Sequence, residues 1–169
     1  LGLIKIKALM IKINVIVKNI LWYNYIKNPN NYIHRKILKL NSKEGKLRKK
    51  KLFCTLLLSG TREIKYLNKR FRKKNKTTDV LSFPFQIKKE LNDKLKKNEE
   101  VYLGDIIINL NSIKNRDILR NFKIEFDHLW IHGLVHLFGH DHKREKDFKK
   151  MSFIEKRYIK IINDRKNFK

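Results

Sequence analysis

The sequence predicts an α+β (α/β) fold: a single domain in which a roughly four-stranded mixed sheet is packed by about five helices, with a metal site on a helix of the C-terminal half and the turn after it. Three observations lead there. Short apolar runs of strand character alternate with segments whose apolar residues fall at helical spacing, as in a compact mixed domain. The length of 169 residues corresponds to about one domain on a prior of roughly 150 residues each. A hydrophobic content of 41% supplies a core and argues against disorder, and no repeat or linker divides the chain.

The elements follow in order. The chain starts at Leu1, and its first methionine, Met10, directly precedes a good strand pattern. Residues 1–9 are therefore read as a candidate mis-called start and 10–169 as the domain. Ile13, Val15 and Val17 alternate with period two, giving a strand at about 11–17. Ile33, Ile37 and Leu40 share one face of a helix around Tyr32 to Leu40. A basic turn, Lys46 to Lys51, leads to a buried strand at 52–58, closed by Ser59 and Gly60. Thr61 is read as the N-cap of a helix carrying Ile64, Leu67, Asn68 and Phe71 at helical spacing and ending in the Lys/Arg run before Thr77. Val80 to Phe85 forms a third strand, with Pro84 marking its end or an edge position. Residues 87–100 are mostly charged, an exposed loop or a short solvated helix. Tyr102 to Leu110, with Ile106, Ile107 and Ile108, makes a fourth, buried strand. Two or three helices close the chain, one from Phe126 to Phe138 and another from Phe148 to Ile162, the latter striped by Met151, Ile154, Tyr158 and Ile161.

Composition excludes several classes. The single cysteine, Cys54, cannot form an intramolecular disulfide or a cysteine-based zinc cluster, so a reducing cytoplasm is expected. Lys5, Lys7, Lys12 and Lys18 interrupt the most apolar end, and no stretch reaches the roughly 18 apolar residues of a membrane helix. That end also has neither the apolar core nor the cleavage site of a signal peptide. With 42 basic against 16 acidic residues the net charge is +26. The abundance of Lys, Ile and Asn suggests an AT-biased genome behind part of it, yet such a charge attracts phosphates whatever its origin. Membrane-surface binding is the weaker use of it, for want of an amphipathic helix or lipidation motif.

The chemically dense segment is His132-Gly133-Leu134-Val135-His136-Leu137-Phe138-Gly139-His140-Asp141-His142, with four of the 6 histidines. On a helix His132 and His136 are i and i+4, so both imidazoles project from one face and can share a metal ion. Gly139 can end the helix in the left-handed conformation and let His142 approach the same ion. Three neutral imidazoles leave a tetrahedral zinc ion one open position, which distinguishes a catalytic from a closed structural site. The spacing matches the metzincin pattern H-E-x-x-H-x-x-G-x-x-H except at Gly133, where a peptidase keeps its general-base Glu, so peptidase chemistry is disfavoured. His140 lacks ligand spacing and reads as a surface or capping residue, although it stands as an alternative to His142.

The segment also resembles H-G-x-L-H-L-x-G-Y-D-H, the signature of the YbeY family of bacterial rRNA maturation endoribonucleases. Further blocks agree in order. Leu67-Asn68-Lys69-Arg70-Phe71-Arg72 resembles L-N-x-x-[YF]-R, Thr78 to Phe85 resembles T-D-V-L-S-F-P-F, and Leu103-Gly104-Asp105-Ile106 resembles L-G-D-I. Asp147, Met151 and Glu155 keep the spacing of D-x-x-x-M-x-x-x-E. The resemblance spans roughly residues 10 to 163, with 11 to 58 agreeing in pattern only. It implies a zinc ion on His132, His136 and His142, cleavage of single-stranded RNA, a role at the 3′ end of the small-subunit rRNA and in ribosome quality control, and a catalytic arginine at Arg72. The implied partners are RNA of the small ribosomal subunit, with a ribosomal protein or GTPase as candidate guide, and neither specific DNA nor membrane. A guanidinium at Arg72 can grip a phosphate bidentately. Asp79 reads as an oriented acid or, preferred, as a turn residue; Asp141 is open between holding an imidazole and turn chemistry. Two departures are His140 in place of tyrosine and Lys143 where an acidic residue is common. The general base stays unassigned, as does attack by water or by the substrate's 2′-hydroxyl. The rivals are a metallopeptidase and a non-catalytic rRNA-binding assembly factor.

Overall fold

A computed structural model of the chain describes residues 10–43, 51–97, 100–142 and 144–164. Residues 1–9, the basic turn up to residue 50 and Lys143 lie outside the described residues. The expected class holds, with four strands and five α-helices among the described residues. β1 (Met10–Val17), β2 (Lys51–Ser59) and β4 (Glu100–Asn109) run parallel, while β3 (Val80–Pro84) pairs antiparallel with β4, in the order β1-β2-β4-β3. Pro84 thus ends an edge strand, where its missing N–H breaks no ladder. In β2 the side chains alternate between fully buried (Leu52, Cys54, Leu56, Leu58) and half-buried (Phe53, Thr55, Leu57), so its two faces meet different environments. Burial pushes the Cys54 thiol up to about 12, leaving an unreactive apolar filler.

One face of the sheet is covered by α1 (Pro29–Lys43), α4 (Leu119–Leu137) and α5 (Glu145–Asn163). Trp22, Trp130, Phe122 and Phe126 are completely buried there, each worth on the order of 2–3 kcal/mol of burial. The Trp22 indole N–H donates to the Ser59 carbonyl at 2.9 Å, and buried Asp127 accepts from Tyr32 Oη (3.0 Å), Lys36 Nζ (2.8 Å) and Trp130 Nε1 (3.0 Å). With three donors that carboxylate ties α1 to α4. The other face carries α2 (Thr61–Arg72), whose Ile64 packs with Leu81 and Ile107.

Several boundaries differ from the expectations, each for a local reason. α1 starts at Pro29, because Asn28 Oδ1 accepts the Asn31 N–H at 2.9 Å and proline suits the first helical position. Thr61 is not an N-cap: extended Gly60 holds that position and the Thr61 hydroxyl reaches Asn109 Oδ1 at 3.4 Å. Phe71 lies exposed and edge-on to Phe83 instead of in the core. The charged segment at 87–100 contains a helix, α3 (Lys88–Lys96), anchored by buried Leu91. β4 begins two residues early and stops at Asn109. α4 starts seven residues before Phe126; exposed Ile118, Leu119 and Ile124 blur its amphipathic pattern, and Ile118 gives no side-chain cap. Among the described residues no helix is long and apolar enough to cross a membrane.

Candidate metal centre

The last two turns of α4 run against the sheet and deliver His132 and His136, both half-buried. The helix comes this close because of Gly133: a Cβ there would lie 2.6 Å from Ile106 Cγ2 and 3.2 Å from Ser82 Oγ. A glutamate at this position has no room, which gives the missing peptidase base a structural reason. α4 then closes in a complete Schellman turn. Gly139, at φ +79°, donates to the His136 carbonyl at 2.9 Å, and the His140 N–H reaches the Val135 carbonyl at 3.3 Å. The reversal carries His142 back over the imidazoles of α4. Its backbone N–H donates to Asp141 Oδ1 at 2.7 Å, which is the turn role open to Asp141.

One ligand atom from each of His132, His136 and His142 lies within 4.8 Å of the others. The orientation of the first two is fixed from behind. His132 Nδ1 lies 2.7 Å from Glu155 Oε1 of α5, and His136 Nδ1 lies 2.9 Å from the His140 carbonyl. A carboxylate and a carbonyl only accept, so both Nδ1 atoms carry a proton, and each ring in its neutral form turns an Nε2 lone pair to the cleft. Those two Nε2 atoms face each other at 3.1 Å. Burial, then the neighbouring His132, holds the His136 imidazole below its ordinary value and favours the neutral form. Two facing lone pairs repel unless a cation lies between them, and nitrogens about 2.05 Å from one tetrahedral ion are separated by roughly 3.3 Å. The donor set therefore fits a divalent metal ion. His140 does not join it: its carbonyl serves His136, and its half-buried imidazole is held below the usual range by burial, then by Lys88 and Lys150.

The opposite wall of the cleft comes from α2 and β3. Arg72 is the last residue of α2, and its Nη2 reaches the Ser82 carbonyl at 3.4 Å. After it Lys73 takes a left-handed conformation, φ 59°, with its N–H on the Asn68 carbonyl. Buried Asn68 also donates from Nδ2 to the Lys76 carbonyl at 2.7 Å, folding the basic loop back. Buried Asn109 holds the next stretch, its Nδ2 reaching Thr77 Oγ1 (3.1 Å), the Thr78 carbonyl (3.2 Å) and Ser112 Oγ (2.9 Å). Asp79 Oδ1 accepts from Thr78 Oγ1 and from the Val80 N–H, the turn geometry preferred for it, while the residue also borders the cleft. Arg72, Thr78, Asp79, Val80 and Ser82 face the three histidines across a space of about 190 Å³. The four predicted site residues thus share one cavity. Asn109 and the roles of Asn68 and Glu155 were missed in the sequence; a buried asparagine carries no periodic signal, and Glu155 showed only as spacing in the C-terminal block. A second cavity of about 200 Å³, between β1 and α1, is lined mainly by isoleucine and leucine, with Asn41 already bonded to the Ile11 backbone.

Comparison with known proteins identifies the family. The profile of the family described as Endoribonuclease YbeY matches residues 18–163. A protein of Pelagibacter ubique named Endoribonuclease YbeY is 47% identical over 156 residues, covering 90% of this chain and 97% of its own length. One of the same name from Ehrlichia canis is 36% identical, covering 91% and 92%. The solution structure of TM1509 from Thermotoga maritima superposes with a TM-score of 0.56 at 25% identity, covering 89% of this chain and 88% of that one. A profile match that runs from the end of β1 to the last residue of α5, together with near full-length relatives, leaves one assignment: the chain belongs to the YbeY endoribonuclease family.

Proposed function

We propose that this chain is a zinc-dependent endoribonuclease that cuts single-stranded RNA during maturation of the small-subunit rRNA 3′ end and in ribosome quality control, in the cytoplasm. The observation that carries the reading is the meeting of three imidazoles and one guanidinium across a single cleft. His132, His136 and His142 hold the metal, and when bound there it supplies Lewis-acid chemistry, polarising a phosphoryl oxygen and making water a stronger acid. Glu155 and the His140 carbonyl hold the Nδ1 atoms of the first two imidazoles and aim their Nε2 atoms into the cleft. Arg72, anchored lightly on the Ser82 carbonyl, is placed to grip the scissile phosphate and offset charge as it accumulates on the phosphorus oxygens. The net charge of +26 draws RNA in with a strong salt dependence. The names of the relatives support an RNA substrate, and the same resemblance implies a ribosomal protein or GTPase as guide, with no specificity for DNA. Gly133 and its contact with Ile106 speak against a peptidase.

The test is incubation of the purified chain with a 3′-extended small-subunit rRNA fragment, with and without chelator, beside a matched H136A preparation. Cleavage by the unchanged chain alone, abolished by chelator, is expected. No cleavage, or equal cleavage by H136A, overturns the enzyme reading and leaves RNA binding without chemistry.

A further inference from the structure

We propose that an aromatic strip beside the cleft, Phe71, Phe83, Phe85 and Tyr102, is a platform on which bases of the single-stranded RNA stack as its backbone passes Arg72; the proposal rests on the RNA-cleaving reading above. α2 covers only part of its face of the sheet. Around its C-terminal end that face presents rings instead of a helix. Phe71, next to Arg72 in sequence, is 59% exposed and lies edge-on to Phe83 with centroids 5.4 Å apart. Phe85 follows the last residue of β3, and its N–H donates to the Leu103 carbonyl at 2.9 Å, which seats it beside Tyr102 on β4. Phe85 is 68% exposed and edge-on to Tyr102 at 5.7 Å. The Tyr102 hydroxyl is shared between Thr55 Oγ1 (2.8 Å) and Asp105 Oδ1 (2.6 Å), which fixes that ring. Edge-to-face pairing leaves outer ring faces open to a flat partner. Two strongly exposed phenyl rings, each paired edge-on with a second ring, mark a contact surface.

Charge selects the occupant. Phe71 lies within the run 69–76, which carries Lys69, Arg70, Arg72, Lys73, Lys74 and Lys76 and no acidic residue. The Arg70 guanidinium stands 5.6 Å from the Phe71 centroid and donates to the Tyr66 hydroxyl. Open ring faces among cations match a strand that offers a base and a phosphate at every step, and such stacking is independent of sequence.

The experiment measures fluorescence anisotropy with an unstructured fluorescein-labelled RNA of roughly a dozen nucleotides and with an abasic sugar-phosphate strand of equal length. The F71A/F85A chain is expected to bind the RNA about tenfold more weakly or worse, to bind the abasic strand as the unchanged chain does, and to regain RNA affinity as F71W/F85W. The F85W indole, on a chain whose own Trp22 and Trp130 are fully buried, is expected to be quenched on adding RNA. Unchanged RNA affinity in F71A/F85A gives the strip to a protein surface and overturns the proposal. So does a loss shared by the abasic strand, a loss that tryptophan fails to restore, or an unquenched F85W. If the unchanged chain cuts RNA and F71A/F85A binds it equally well, only the strip falls; if the unchanged chain neither binds nor cuts RNA, the functional reading falls and takes the strip with it.

Discussion

Two helix ends build the cleft, and they are built differently. α4 finishes in a turn made by backbone alone, with glycine in the left-handed position and the next two residues folding back onto the helix. α2 finishes with a lysine in that conformation, and side chains, Asn68 and Asn109, hold the loop that follows. The first end is half-buried beside Gly133 and braced by Glu155; the second is exposed and carries the arginine. A metal site needs nitrogens fixed to within tenths of an ångström, whereas a residue that grips a flexible polyanion tolerates a looser mount. The contrast therefore ranks the two ends: changes at α4 should act on fold and metal, and changes at α2 on substrate.

The largest effect that would break this ranking comes from Gly133. G133E places a charged side chain where even a Cβ meets Ile106 at 2.6 Å. Overpacking together with an unpaired buried charge is expected to remove about 4 kcal/mol or more of stability. A urea titration reads it directly, and a stable, metal-binding G133E would show that α4 does not owe its approach to glycine. Next, E155Q keeps the shape of the brace but loses the charge that orients His132. Metal affinity, measured against a competing chelator, should fall about 10- to 100-fold with the fold intact.

On the other side, R72K keeps the charge and loses the fork. Its kcat/KM on RNA should drop about 10- to 100-fold, while metal affinity and melting temperature stay at those of the unchanged chain. A loss of metal affinity in R72K would erase the division between the two ends. Smaller again, N109A removes the side chain that pins Thr77 and Thr78. It should cost about 1–3 kcal/mol through unpaired buried groups and depress RNA cleavage more than metal binding.

The same contrast explains what was legible in the sequence. The α4 end is local: two histidines one turn apart, a glycine and a third histidine lie within a dozen residues, so helical geometry paired the first two imidazoles and the glycine turn pointed to His142 as the third. The β1 strand was equally plain from its period of two. The α2 end is not local. Asn68 reads as one more helical position until its side chain is seen on the Lys76 carbonyl, and Asn109, about thirty residues beyond the loop it holds, gives no pattern at all. Bonds made by single polar side chains across the fold leave no periodicity. Thr61 misled for a related reason, since its hydroxyl turned to Asn109 and left capping to the backbone of Gly60. The start of α4 was missed because its exposed apolar residues served no buried face.

The finest comparison exchanges the two left-handed residues. Lys73 at φ 59° directly follows α2, and Gly139 at φ 79° follows α4 with Phe138 between. A non-glycine residue in this region costs on the order of 1 kcal/mol, and glycine gives part of that back by gaining entropy in the unfolded chain. K73G is therefore expected to stabilise the protein by a few tenths to about 1 kcal/mol. G139A is expected to destabilise it by about 1 kcal/mol or more, because its new methyl also meets Lys88 Cβ and Cγ at 3.1 Å. Thermal unfolding of both variants checks the signs. Metal titration then separates the ends: G139A, which shifts the turn that seats His142, should weaken binding, and K73G should leave it untouched. If both substitutions destabilise, the α2 end is held by the lysine itself and not by Asn68. That outcome would make the loop after Arg72 a more tightly built element than its exposure indicates.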